Sequence, residues 1–394
     1  MLELPPARYC RLSGESLADA EVLFELSSCP LPGVYPATAT DSAAWRTPLR
    51  VLQARKSGLV QLGHVLEASL YQQYAFAGAT SKGYLSYLRA LAQKVSRCLP
   101  RNAAILEVGC GDGALLGCLR ELGFKNLCGI DPGRSGQASQ TAVSTITGYF
   151  PADAPGSWRA EKFDLILLRH VLEHVETPRE FVAHLREFLR AQGQLWIEVP
   201  DLESTVRGRR WSNFYQLHCS YFSQPTLDAL LGEAGCFCFE GEVVDVFGGS
   251  LLRRFAFGRP KPKAELPRWG TLAAQVDEFK RNLNHLTARM PDPCVGYGAG
   301  ERTAVTLGFC PVVERKLKGL YDSNPRLDGR FLAGTQVPIA HKEQLFRQPP
   351  AAILLFALSH QEEILAELKA RLPTDVLIGI VDHESVCQPL AAFS

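Results

Sequence analysis

The chain has 394 residues, enough for two or three domains that each bury a core. Its 42 basic and 41 acidic residues leave a net charge of +1, so charge gives no case for nucleic acid or an anionic membrane as partner. No apolar run is long enough to span a bilayer, the Met1-Leu-Glu-Leu-Pro-Pro start lacks the features of a secretion signal, and twelve cysteines are scattered without a C-x-x-C pair. A reduced, cytoplasmic protein is expected.

Residues 1–80 read as an irregular module rich in Pro, Ala and Ser, with short extended pieces such as Gly58-Leu-Val-Gln-Leu62. A helix over Tyr84–Leu99 opens a second region, 81–257, in which strands alternate with helices. The predicted strands are Ala103–Glu107, Leu127–Asp131, Phe163–Leu168 and Gln194–Val199. A helix over Thr177–Gln192 has Pro178 early and closes at Gly193, and another covers Pro225–Ala234. Residues 258–290 hold a basic, proline-rich linker and a polar helix over Leu272–Arg289. Residues 291–394 repeat the α/β plan, with a strand-to-glycine turn at Cys294-Val-Gly-Tyr-Gly-Ala-Gly300, the segments Leu317–Asp322, Ala351–Phe356 and Val376–Val381, and a helix near Gln361–Leu372. The fold class is therefore α/β: a doubly wound Rossmann-like sheet, a smaller C-terminal Rossmann-like domain and a small irregular N-terminal module.

The stretch Leu106–Ala114 carries the functional signal. An apolar strand runs into Glu107, then into alternating Gly109, Gly111 and Gly113, then into a helix. Glycines let the backbone turn sharply and approach a ligand without a Cβ in the way. Asp131 ends the next apolar segment about 20 residues further on, where a doubly wound sheet presents a carboxylate to a ribose diol. A nucleoside-bearing cofactor follows, and its kind is the next question. Gly109, Gly111 and Ala114 also satisfy the dinucleotide pattern G-x-G-x-x-G/A. A pyrophosphate would meet Glu107 and Asp112, which repel it, whereas S-adenosylmethionine brings a sulfonium and an ammonium that carboxylates suit. A purely structural βα turn is the third reading. Glu107-Val-Gly-Cys-Gly-Asp-Gly113 resembles motif I of class I methyltransferases, E/D-x-G-x-G-x-G.

Two further stretches hold chemistry. His170-Val-Leu-Glu173-His174 spells a zinc motif, H-x-x-E-H, but follows a strand instead of lying on a helix. At the C-terminal edge of an α/β sheet, His170 reads as a cofactor-pocket residue and His174 as a cap on local structure. Trp211–Ser223 is a loop dense in aromatic and polar groups, in which His218 suits a general base and Tyr215 can orient or polarise a carbonyl. The plainer reading is a helix-entry loop whose His and Tyr satisfy backbone groups.

The ordered set of segments resembles the three-part sugar C-methyltransferases that act on nucleotide-linked 4-keto-deoxy sugars. It includes Gly58–Leu62, Leu70-Tyr71-Gln-Gln-Tyr74, Gly248-Gly249-Ser250-Leu251, Gly296–Gly300 and Asp322-Ser-Asn-Pro325 followed by Gly329–Ile339. That resemblance spans essentially the whole chain. It implies S-adenosylmethionine as cofactor, with Gly109, Gly111 and Gly113 admitting its methionine part, Glu107 its ammonium and Asp131 its ribose. It implies a small-molecule acceptor, a sugar nucleotide foremost, with His218 as base. The departures are specific. The family's zinc module uses two cysteine pairs, and the matching positions here are Cys10, Ser13, Ala54 and Ser57, so no metal is expected. The family's Y-H-E-H loop becomes Tyr215-Gln216-Leu217-His218, and the histidine before G-G-S-L becomes Phe247, which points to a different or more apolar acceptor. Transfer to oxygen or nitrogen, a non-catalytic cofactor-binding partner, and a nicotinamide oxidoreductase remain the rival readings.

Overall fold

The computed structural model describes residues 2, 4–65, 82–133, 143–258, 265–358 and 361–393. Leu70–Tyr74 and most of the proline-rich linker lie outside them. Among the described residues no helix is long and apolar enough to cross a membrane.

The N-terminal segment is more regular than its sequence suggests. Strands β1 (Glu21–Pro30) and β2 (Arg46–Gln53) pair antiparallel, and β3 (Val60–Leu62) joins β2. Register shifts between Val22 and Phe24 and between Leu26 and Cys29 interrupt the alternation of β1. Bulges of this kind erase the period-two signal by which a strand is recognised in sequence.

The central sheet contains β4 (Ala104–Val108), β5 (Asn126–Asp131), β6 (Ser144–Thr147), β7 (Phe163–Arg169) and β8 (Leu189–Pro200), all parallel, in the order β6-β5-β4-β7-β8. The order reverses at β4, so the crevice beyond its C-terminal end is where such a sheet takes a ligand. Helix α1 (Lys82–Cys98) precedes β4 and α2 (Ala114–Glu121) follows it. The helix expected to reach Gln192 stops sooner: α3 covers Pro178–Phe188, and β8 begins at Leu189. Leu189 pairs with Phe163, and Arg190 bonds Asp164 at 2.6 Å, which draws the chain into the sheet before Gly193. The short β9 (Ser220–Tyr221) lies within the Trp211–Ser223 loop and pairs with β3, Val60 opposite Tyr221. The N-terminal sheet therefore uses the candidate acceptor loop as its own edge strand. Helix α4 (Gln224–Glu233) follows, and two strands without a sequence signal, β10 (Cys236–Val244) and β11 (Ser250–Phe257), extend the central sheet antiparallel beyond β8.

After α5 (Leu272–Arg289) the C-terminal sheet comprises β12 (Cys294–Tyr297), β13 (Leu317–Asp322), β14 (Ile339–His341), β15 (Ala352–Leu355), β16 (Leu377–Ile380) and β17 (Cys387–Pro389). Its order, β14-β13-β12-β15-β16-β17, repeats that of the central sheet, with an antiparallel strand again at the β16 end. The likeness extends to single hydrogen bonds. Gly111 N donates to Asp131 Oδ2 at 2.9 Å, and Ala299 N donates to Asp322 Oδ2 at 2.8 Å. Phe24, Leu49, Phe214, Leu217, Tyr221, Leu283 and Phe309 share one apolar cluster, so the acceptor loop is held between the N-terminal sheet and the C-terminal domain.

Candidate active site

The turn after β4 is built from positive φ angles: +76° at Gly109, +54° at Gly111 and +78° at Gly113. Each lies in the left-handed region that a Cβ disfavours. A Cβ on Gly109 would stand 2.2 Å from Val171 Cγ2, so the turn and the segment after β7 close on each other only with glycine. A Cβ on Gly111 meets no described heavy atom within 4 Å, and that side of the turn is a cradle. Asp131 is fixed beside it, accepting from Gly111 N and, at 2.7 Å, from Gly133 N.

Glu107 is fully buried on β4. Its Oε1 accepts from Arg169 Nε at 3.2 Å and Nη2 at 3.1 Å, while Oε2 has no hydrogen-bond partner among the described residues. Arg169 also donates to Tyr84 Oη at 2.9 Å. Burial raises the Glu107 carboxyl above the usual carboxylate range against the pull of Arg169, so a cation reaching Oε2 would favour its ionised form.

His170, at the edge of β7, sits at φ +52° with both ring nitrogens engaged. Nε2 donates to Glu198 Oε1 at 3.0 Å, and Nδ1 faces Glu173 Oε1 at 3.3 Å. Glu198 Oε2 accepts from Tyr87 Oη at 2.7 Å. Burial works against charge on His170, but Glu173 and Glu198 overcome it and hold the imidazolium up to about 9. His170 is therefore a cation locked between carboxylates. The Phe247 ring rests 5.0 Å from the His170 ring and 5.1 Å from that of Tyr84.

The acceptor loop brings Tyr215 and His218 together, with Tyr215 Oη 2.7 Å from His218 Nε2. Tyr221 braces the pair: its hydroxyl accepts from Tyr215 N at 3.0 Å and donates to Tyr215 O at 3.1 Å. Burial and the neighbouring His174 and His170 hold His218 well below its usual range, so the imidazole is neutral. Burial, with Glu301 and Glu173, holds the Tyr215 phenol well above its own. His174 does more than cap its turn: Nδ1 donates to Leu217 O at 2.7 Å and ties the segment after β7 to the loop. Leu217 packs its side chain into the shared apolar cluster. Of the two apolar departures, Phe247 is the one beside the polar groups of the site.

Carboxylate and imidazole atoms of Glu173, His174 and His218 lie within 4.8 Å of one another. One ring nitrogen of each histidine is already committed, to Leu217 O and to Tyr215 Oη. The H-x-x-E-H spelling does not form the helical zinc arrangement, because residues 172–174 make a single 3-10 turn and both His170 nitrogens face carboxylates. In the N-terminal module, Glu15 joins the two turns that carry Cys10 and Ser57. It accepts from Ser57 N at 3.0 Å and Lys56 N at 3.2 Å, and Cys10 Sγ lies 3.1 Å from Ser57 Oγ.

Comparison with known proteins fits this geometry. Residues 84–239 match the family described as "Methyltransferase domain", and residues 263–375 match "C-methyltransferase C-terminal domain". The C-methyltransferase NovU of Streptomyces niveus is 24% identical, the alignment covering 91% of this chain and 92% of that protein. The chain is an S-adenosylmethionine-dependent methyltransferase. A tRNA U34 carboxymethyltransferase of Idiomarina loihiensis is 31% identical over 24% of this chain and 32% of its own length. Magnesium protoporphyrin IX methyltransferase from Synechocystis, solved with bound S-adenosylhomocysteine, is 18% identical and covers 45% of this chain and 84% of its own, with a TM-score of 0.37.

The site fits the cofactor of this methyltransferase. The open side of Gly111 leaves room for its approach, the bare Glu107 Oε2 faces a missing donor, and Asp131 stands at the end of β5. Glu107, Gly109, Gly111, Gly113 and Asp131 lie on β4, the turn after it and the end of β5, and His170 belongs to the buried ion network beside them. Sequence reasoning missed Arg169, Glu198, Tyr84, Tyr87 and Glu173. A signal exists for two of them: Arg169 ends β7, and Glu198 lies two residues before Pro200, so both sit at the ligand-binding edge of the sheet.

Proposed function

We propose that this methyltransferase methylates a carbon next to the carbonyl of a nucleotide-linked keto sugar, and that His218 removes the proton from that carbon. The observation that carries this reading is the buried pair of His218 and Tyr215, 2.7 Å apart. When bound, S-adenosylmethionine supplies an electrophilic methyl group and keeps the sulfur–carbon electron pair as it leaves. Glu107 and Asp131 would hold it from the β4 and β5 ends, and the glycine turn admits it. A neutral His218 can accept the carbon-bound proton on Nε2 once the Tyr215 hydroxyl turns from that nitrogen to hydrogen-bond the carbonyl oxygen. Positioning both groups on a loop clamped between two other structural units lowers the entropic cost of the step. The sugar-nucleotide choice rests on the C-terminal domain and on the full-length likeness to a C-methyltransferase.

The test is solvent exchange. Incubated in heavy water with S-adenosylhomocysteine and a nucleoside-diphosphate 4-keto-6-deoxyhexose, the enzyme should wash deuterium into the carbon beside the carbonyl. His218→Ala should abolish the wash-in, and a normal rate in that variant would sink the base assignment.

A further inference from the structure

We propose that Glu173 is a positioning residue, whose carboxylate stabilises the positive charge that forms on His218 during the proton step. This rests on His218 as the base. In that step the acceptor's carbon–hydrogen bond breaks, the proton becomes an N–H on the imidazole, and the electron pair stays on carbon for the new carbon–carbon bond. A neutral ring thus becomes an imidazolium inside a buried pocket, where charge is costly unless an opposite charge lies close.

The groups facing His218 come from several elements. Its own loop supplies Tyr215 and Tyr221, whose rings lie 4.1 Å and 6.0 Å from the imidazole. The turn after β7 supplies His174, with its ring at 4.9 Å, as well as His170 and Glu173. Glu301 and Arg302, from the C-terminal domain, act on Tyr215. The two neighbouring histidines and burial oppose a proton on His218, and a hydrogen bond to the Asn213 backbone favours it. Leu217, next to the base, turns its side chain into the core and offers no charge.

Glu173 is the carboxylate that stands beside this group. It is 1% exposed, an oxygen lies within 4.8 Å of ligating atoms on His174 and His218, and neither oxygen makes a hydrogen bond among the described residues. Its ion-pair partner His170 is shared with Glu198, which holds Nε2 at 3.0 Å. Two buried carboxylates thus divide the charge of one imidazolium, a costly arrangement. The charge that forms on His218 adds a second cation beside Glu173.

The test uses the full-length protein with the same keto-sugar nucleotide. Calorimetric binding of S-adenosylhomocysteine reports that each variant is folded. In Glu173→Gln, deuterium wash-in and kcat should fall tenfold or more at unchanged KM. The acid limb of the rate profile should move to lower pH by about one unit, because His218 loses the charge that favours its protonation. Glu173→Asp keeps the charge one methylene further back and should give an intermediate plateau and limb, and it serves where the Gln variant does not fold. A wild-type plateau and limb in either folded variant overturns the assignment. Normal wash-in in His218→Ala overturns the base reading beneath it. Lost wash-in in His218→Ala with wild-type behaviour in Glu173→Gln overturns the role of Glu173 alone.

Discussion

Tyr215 Oη lies 2.7 Å from His218 Nε2, and the two rings are 4.1 Å apart within one loop. The bond persists because Tyr221 clamps the Tyr215 backbone from both sides and pairs with the N-terminal sheet through β3. The pair is thus held by Tyr221 from its own loop and, through it, by Val60 far away in sequence, which leads to the first prediction.

Tyr215→Phe removes one hydroxyl and leaves the ring packed. Turnover should fall about 100-fold, in the range expected for a group that assists proton transfer. S-adenosylhomocysteine affinity, measured by calorimetry, should stay at the wild-type value, because the loop and the glycine turn are separate. Wild-type turnover would remove Tyr215 from the chemistry.

Glu107→Gln should weaken cofactor binding by about tenfold, the loss expected for a hydrogen bond to a charged group. It also deprives the buried Arg169 of its carboxylate. Breaking such a pair costs about 3–5 kcal/mol, so the melting temperature should fall as well. Glu107→Gln together with Arg169→Met should recover much of that stability without recovering cofactor affinity, as thermal melts and calorimetry in parallel would show.

Stability should depend on His170 in the alkaline range. Its folded value is raised to about 9 from an ordinary 6.5. The folded state therefore holds the proton more tightly than the unfolded chain. The resulting stabilisation is complete below about pH 6.5 and is lost as pH rises through 9. Its size is about 3 kcal/mol. Urea unfolding between pH 6 and pH 9.5 should show this decline, and His170→Gln should flatten it. Parallel slopes in the two proteins would contradict the assignment.

In the N-terminal module, Glu15→Ala removes the acceptor for Ser57 N and Lys56 N. On a partly exposed site the loss should be about 1 kcal/mol. A chelator should leave the wild-type melting temperature unchanged, because a carboxylate joins the two turns. A fall in melting temperature with chelator would show that a metal contributes there.

The chemistry of the cofactor turn is legible in a few consecutive letters. Alternating glycines between a strand and a helix, with Glu107 before them and Asp131 at the next strand end, dictate the turn because local sterics allow few other paths. Most parallel strands were legible as continuous apolar runs, whereas the short β6 and β14 were not, and α5 was read with the observed bounds. Loci whose form depends on distant partners were not. The bulged β1, the early end of α3 at Leu189 and the antiparallel strands β10 and β11 take their shape from neighbours brought by the fold. The same limit applies to function. Sequence alone determined the cofactor class and nominated His218 and Tyr215. Tertiary structure decided that His170 is a cation between Glu173 and Glu198, that Leu217 faces the core while Phe247 borders the site, and that Glu173 stands beside His218. Charge and direction in a buried site depend on what lies within a few ångströms, and those neighbours come from β4, β7, β8, α1 and the acceptor loop together.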